Sequence, residues 1–160
     1  MAKVITDDQI VVVKPWWARV RIVFIGAVLG LIWWVLSTLI RMYIIEPFAC
    51  RDLSNAAVCV DSFGVAGNIA TVIVALLGTF ALIRNLQPRP IVIAVAAAVV
   101  LWGLGQYLTG LAWYEAILWS IALYAATYVL FGMVARIVWF PAAVITAIVI
   151  VAAVRILLIL

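Results

Sequence analysis

Five uninterrupted apolar runs, each long enough to cross a bilayer as a helix, constrain this chain more than anything else in it. A hydrocarbon core of about 30 Å takes about 20 helical residues. Runs of that length fall at 17–40, 63–83, 91–113, 116–137 and 141–160. Hydrophobic residues make up 71% of the chain and charged ones 10%, more apolar surface than a soluble domain can hide. The runs are continuous and do not alternate with period two, which favours helices over barrel strands. The expectation is an all-α integral membrane protein, a single polytopic domain built as a bundle of five transmembrane helices.

Proline fits this division. Pro15 and Pro141 stand at helix starts and Pro88 and Pro90 between helices, where a missing N–H costs little. The run from 17 to 40 is too long for the apolar core of a cleavable signal peptide, and no small-x-small site follows it. Residues 1–14 are too few for a domain and read as an interfacial or partner-binding strand.

Charge gives the orientation. With the N-terminus cytoplasmic, the inner segments hold Lys3, Lys14, Arg19, Arg21, Arg84, Arg89 and Arg136, while the outer ones hold only Arg41 and Arg51. This bias follows the positive-inside rule and predicts an outer C-terminus and an outer loop at 41–62. The net charge of +4 is accounted for by that excess. No basic cluster points to nucleic acid as a partner. The expected location is a cell membrane, the bacterial inner membrane by type.

Cys50 and Cys59 share the outer loop, and an oxidising compartment would join them. Closing so short a loop is worth about 2–3 kcal/mol in the chain-entropy model. Two loop cysteines between the first two spans, followed by Ser62, resemble the outer-loop pair of the vitamin K epoxide reductase and disulfide-bond-forming membrane oxidoreductases. That resemblance implies a thiol–disulfide relay through a second, membrane-embedded Cys-x-x-Cys. The chain has two cysteines in all, so the relay would lack its second stage.

Small and hydroxyl residues recur at helical spacing. Gly26, Gly30 and Ser37 fall on one face of the first run, and Gly64, Asn68, Thr71, Ala75 and Gly78 on one face of the second. Ala116, Ser120, Tyr124 and Thr127 do so on the fourth. Small residues let helix backbones approach, and packing drives helix association in lipid. Gly26, Gly30, Gly64, Thr71 and Gly78 are the expected helix-packing positions. Most tryptophans, among them Trp33, Trp34, Trp113, Trp119 and Trp139, read as interfacial anchors.

Polar residues are biased in depth. Under this topology Asn68, Gln106, Thr109, Ser120, Glu115 and Arg155 all lie in the outer half. Ionisable groups in a membrane usually face the bundle interior or a water-filled cavity. The expectation is an outward-facing polar vestibule lined by Asn68, Gln106 and Thr109, with Glu115 and Arg155 at its mouth, where Arg155 either reaches the outer surface or pairs with Glu115 or the C-terminal carboxylate. The stretch 102–110, WGLGQYLTG, carries three glycines around Gln106 and Tyr107. Glycine at that depth marks close helix approach or local unwinding.

The chain has no histidine and no P-loop, GxSxG, HExxH or dinucleotide fingerprint, so neither cofactor nor metal is expected. The leading functional expectation is a non-catalytic accessory or assembly subunit of a larger membrane complex. Its partners would be the lipid bilayer and either other membrane subunits or copies of itself. The alternatives are a small oligomeric transporter or channel using the vestibule, and an outer-face thiol–disulfide oxidoreductase.

Overall fold

The computed structural model describes residues 15–50, 59–84, 89–135 and 139–159, and every regular element among them is helical. The strand expected within 1–14 lies outside the described residues, as does the side chain of Arg155.

Helix α1 spans Pro15–Ile40. The chain does not then enter a loop, as expected for 41–62. It continues through one π-helical turn, Arg41–Ile45, into the short helix α2, Glu46–Ala49. Pro47 accounts for the change. It has no N–H for the Tyr43 carbonyl, and its ring crowds that oxygen. The ladder widens just before it, with the Glu46 N–H bonded to the Arg41 carbonyl five residues back.

Helix α3 spans Ser62–Arg84 and helix α6 spans Trp113–Val134. Three helices are long and apolar enough to cross a membrane: Val20–Phe48, Ser62–Arg84 and Trp113–Val134. The third apolar run is not the single helix expected over 91–113. Helix α4, Pro90–Val100, gives way at Leu101, and the five-residue helix α5, Leu104–Leu108, follows. Gly103 holds a φ of +83°, a left-handed conformation in which a Cβ is strained. Thr109 is extended and Gly110 has a φ of +93° before α6 begins. Helix α7, Phe140–Ile159, closes the chain, and its stretch Pro141–Val154 is a shorter apolar helix like Pro90–Val100.

α1 packs most extensively on α6 and next on α3, while α4 bridges α3, α6 and α7. Backbone meets backbone at the α1–α6 seam. A Cβ on Gly26 would lie 2.7 Å from Ala125 Cα, and one on Gly30 would lie 2.6 Å from the Ser120 carbonyl oxygen. Across the seam Ala116, Ser120, Tyr124 and Thr127 are all buried. On α3 Gly64, Thr71 and Gly78 are buried, and Gly78 leaves room for the Tyr128 hydroxyl.

Trp33 departs from its expected place as an interfacial anchor, because it is fully buried at the centre of the bundle. It falls three residues beyond Gly30 and four before Ser37, on the packed face of α1. That face, not its indole ring, decides its position. Trp113, Trp119 and Trp139 are exposed.

The seam yields a graded prediction. Gly30→Leu drives a side chain into the backbone of α6 and is expected to cost at least the 1–3 kcal/mol or so typical of overpacking. Gly132→Ala meets only the flexible end of Ile22 at 3.3 Å and is expected to stay within about 0.5 kcal/mol of the parent. Thermal unfolding of the two variants in one detergent gives the comparison; equal losses would mean that the α1–α6 approach is not limiting.

Candidate functional site

The break in the third apolar run organises one end of the molecule, the end that carries the cysteines. Where the chain leaves α4, backbone groups lose their helical partners, and in an apolar surround each needs another. The Gly103 N–H donates to Asn68 Oδ1 at 2.9 Å, so a side chain of α3 replaces the missing turn. The Gln106 carboxamide then donates to Asp61 Oδ2 at 2.9 Å. Asp61 immediately precedes α3, and its carboxylate folds over Gly64, where a Cβ would collide with it. α5 lies equally close to α3: a Cβ on Gly105 would sit 2.6 Å from the Phe63 carbonyl oxygen and 3.1 Å from Gly64 Cα.

One helical turn deeper, α1 joins the same arrangement. The Trp33 indole N–H is shared between the Gly67 carbonyl at 3.0 Å and Thr71 Oγ1 at 2.9 Å. Thr71 in turn donates to the Gly67 carbonyl at 2.8 Å. The Trp33 ring meets Phe63 edge-on at 6.3 Å and Tyr124 at 6.1 Å, distances at which aromatic pairs attract. The Tyr124 hydroxyl is buried and has no hydrogen-bond partner among the described residues.

Because α5 stops at Leu108 and α6 begins only at Trp113, a cavity of about 210 Å³ opens above this joint. One wall is a stripe formed by Trp34 and Thr38 of α1 and Arg41 of the π turn, at positions i, i+4 and i+7. Phe63 faces it, and Thr109, Leu111 and Trp113 bound the gap between α5 and α6. Arg41 Nε donates to Glu46 Oε1 at 2.9 Å, and both side chains are about half exposed, at 44%. Residues five apart do not share a face of an α-helix; the π turn between them brings them together. The Arg41 guanidinium also sits 6.0 Å from the centre of the Phe63 ring, within cation–π range. Cys50 and Cys59 are disulfide-bonded, with their Cα atoms 5.2 Å apart, and tie the end of α2 to the approach to α3.

The expected vestibule residues therefore separate. Asn68, Gln106 and Thr109 meet at the α3–α5 joint, and Thr109 also lines the cavity. Ser120 is fully buried against Gly30 in the α1–α6 seam and donates to the Ile117 carbonyl. Glu115 is half-buried in the first turn of α6. Its pairing with Arg155 lies outside the described residues. Arg41, Phe63 and Trp34 line the cavity without having been singled out as a site. The i, i+4, i+7 spacing of Trp34, Thr38 and Arg41 was the available signal, but the loop expected from 41 onward concealed it.

Asn68→Leu removes the acceptor for Gly103 without changing side-chain volume much. The buried N–H left behind should cost about 1–3 kcal/mol, read as a lower melting temperature in detergent. Asn68→Asp keeps an acceptor oxygen and should unfold closer to the parent. Equal losses for the two would show that the Gly103 contact contributes nothing. The chain matches no family model, no curated protein and no solved structure.

Proposed function

We propose that this chain is a non-catalytic integral membrane protein that serves as an accessory or assembly subunit of a larger membrane complex. One observation carries the reading: the flank formed by α4 and α7. Between these two helices runs a groove of about 460 Å³ bounded by hydrocarbon side chains, with Val95, Val99 and Ile148 on its sides and Ala96, Ala147 and Ala152 leaving room. Small residues between larger aliphatic ones make a surface into which the ridges of another helix fit. Polar side chains of the joint are meanwhile engaged within the chain, Asn68 by Gly103, Gln106 by Asp61 and Trp33 by Gly67 and Thr71.

Five crossings, with the N-terminus cytoplasmic, belong to the same proposal. α7, at 20 residues and about 1.5 Å per residue, matches the roughly 30 Å of hydrocarbon, whereas α4, at 11 residues, would cross only together with the break and α5. Among the described residues Arg21, Arg84 and Arg89 lie toward the end opposite the disulfide, which supports the orientation. A bacterial inner membrane would place the cysteines on its oxidising face.

A transporter or channel is the second reading, and the α4–α5 break favours it, since interrupted helices line substrate sites in many transporters. Mild-detergent purification distinguishes the two. Stoichiometric co-purifying membrane proteins are expected, and Ala152→Trp, which fills the groove, should release them while the variant still inserts. A lone homo-oligomer would exclude the accessory role. For the topology, tags at Met1 and Leu160 are expected to report from opposite faces; reporting from one face would exclude an odd number of crossings.

A further inference from the structure

The geometry points to the cavity at the cysteine end as a binding site for the headgroup of a phospholipid carrying a primary ammonium, of the phosphatidylethanolamine type. The assignment depends on a juxtaposition: one guanidinium whose Nη groups have no partner among the described residues, two hydroxyls whose protons go to backbone carbonyls, and aromatic walls, all around a single cavity.

The hydroxyls are the discriminating feature. Thr38 Oγ1 donates its proton to the Trp34 carbonyl at 2.9 Å, and Thr109 Oγ1 shares its own between the Gly105 carbonyl at 3.0 Å and the Gln106 carbonyl at 2.5 Å. A hydroxyl has one proton and two lone pairs, so toward the cavity both threonines offer acceptors. A ligand satisfying them must bring N–H or O–H donors. Trp34, Phe63 and Trp113 line the same cavity, and aromatic rings favour a cation over a neutral alcohol, as the Arg41 guanidinium over Phe63 already does.

Arg41 supplies the opposite requirement. Among the described residues its guanidinium donates through Nε alone, to Glu46, and the Nη groups keep their donors for an anionic oxygen such as phosphate. The site is nonetheless poor for a net anion. Arg41 is paired with Glu46, and Asp61 stands two residues before Phe63. Among the described residues one cation stands against two carboxylates, a balance that disfavours an anionic lipid and suits a zwitterion.

Depth selects a lipid over a soluble zwitterion. Thr38 and Trp34 lie about 4.5 and 10 Å along α1 from Arg41, toward the apolar core. Leu111 and Trp113, at the α5–α6 gap, are 40% and 70% exposed. The cavity thus grades from a charged mouth to an apolar side, and a headgroup with its phosphate on Arg41 reaches Thr38 by folding inward across the cavity. This assignment is independent of whether the protein is an accessory subunit or a transporter.

The test uses the full chain in detergent with its disulfide intact. Retention of dioleoyl phosphatidylethanolamine, phosphatidylcholine and phosphatidylglycerol is compared by native mass spectrometry. Phosphatidylethanolamine is expected to be held most tightly, because the choline group has no N–H and the glycerol head is anionic. Thr109→Val and Thr38→Val, which keep side-chain shape, should each weaken it about tenfold, the worth of a hydrogen bond to a charged group. Arg41→Gln should weaken all three lipids. The monodispersity and melting temperature of each variant establish that it is folded. Equal retention of phosphatidylcholine and phosphatidylethanolamine would overturn the proposal. So would valine variants that melt normally and keep the preference, or displacement by soluble phosphoethanolamine at matched concentration.

Discussion

A backbone N–H that leaves its helix inside a bilayer must find a partner within the protein, and at Gly103 that partner is the Asn68 carboxamide. Much of the architecture at the cysteine end depends on this bond. It allows α4 to stop at Val100 and the chain to re-form as α5 in a new direction. The new direction lays Gly105 on the backbone of α3 and carries Gln106 to Asp61. It also ends the third apolar path short of α6, and that gap is the cavity. A residue without a side chain to place is needed at Gly103, because a Cβ there would have ample space but a strained backbone.

The joint is held by unlike interactions in series. Trp33 brings a large apolar surface of α1 to a point where α3 presents Gly67 and Thr71 one and two turns below Phe63, so a bulky ring fills what the small residues leave open and meets Phe63 at its edge. Its N–H would be costly to bury unpaired, and the Gly67 carbonyl and Thr71 hydroxyl receive it. The same small residue that admits the indole admits α5, since Gly67 lies beneath both Trp33 and Gly105. Enlarging Gly67 would therefore disturb two helix contacts at once.

How much of this was legible in the sequence depends on the range of the interactions. The stripes through Gly26, Gly30, Ser120 and Tyr124 were readable because one helix face is a local property, set by spacing along one segment. Asn68, Gln106 and Thr109 stood out because polar residues are rare in such runs. What was not legible required a second segment. Nothing in 91–113 alone says that Asn68 will cap a break after Leu101, although three glycines in nine residues mark the stretch as pliable. Trp33 was misassigned because tryptophan in a membrane protein usually marks an interface, whereas its register with Gly30 and Ser37 placed it inside. The π turn followed from Pro47, but its result, an Arg41–Glu46 pair in place of a loop, depends on helix geometry that hydropathy does not report.

Within the apolar segments the departures from regular helix cluster at one end. The π turn at Arg41–Ile45, the break at Leu101–Gly103 and the left-handed Gly110 all lie toward the disulfide. The described stretches of α1, α3 and α6 running away from it are regular. Irregular backbone exposes polar groups, and in a membrane that is tolerated only where protein or a water-filled cavity satisfies them. A chain that served merely as filler between larger partners would gain nothing from concentrating such features, since straight helices pack as well and fold more simply. Here they shape a cavity in which a cation, two acceptor hydroxyls and three aromatic rings converge, while the groove between α4 and α7 remains purely hydrocarbon. The two surfaces are chemically distinct and are formed by different elements, so a lateral partner and a lipid headgroup could be held at once without competing for the same residues.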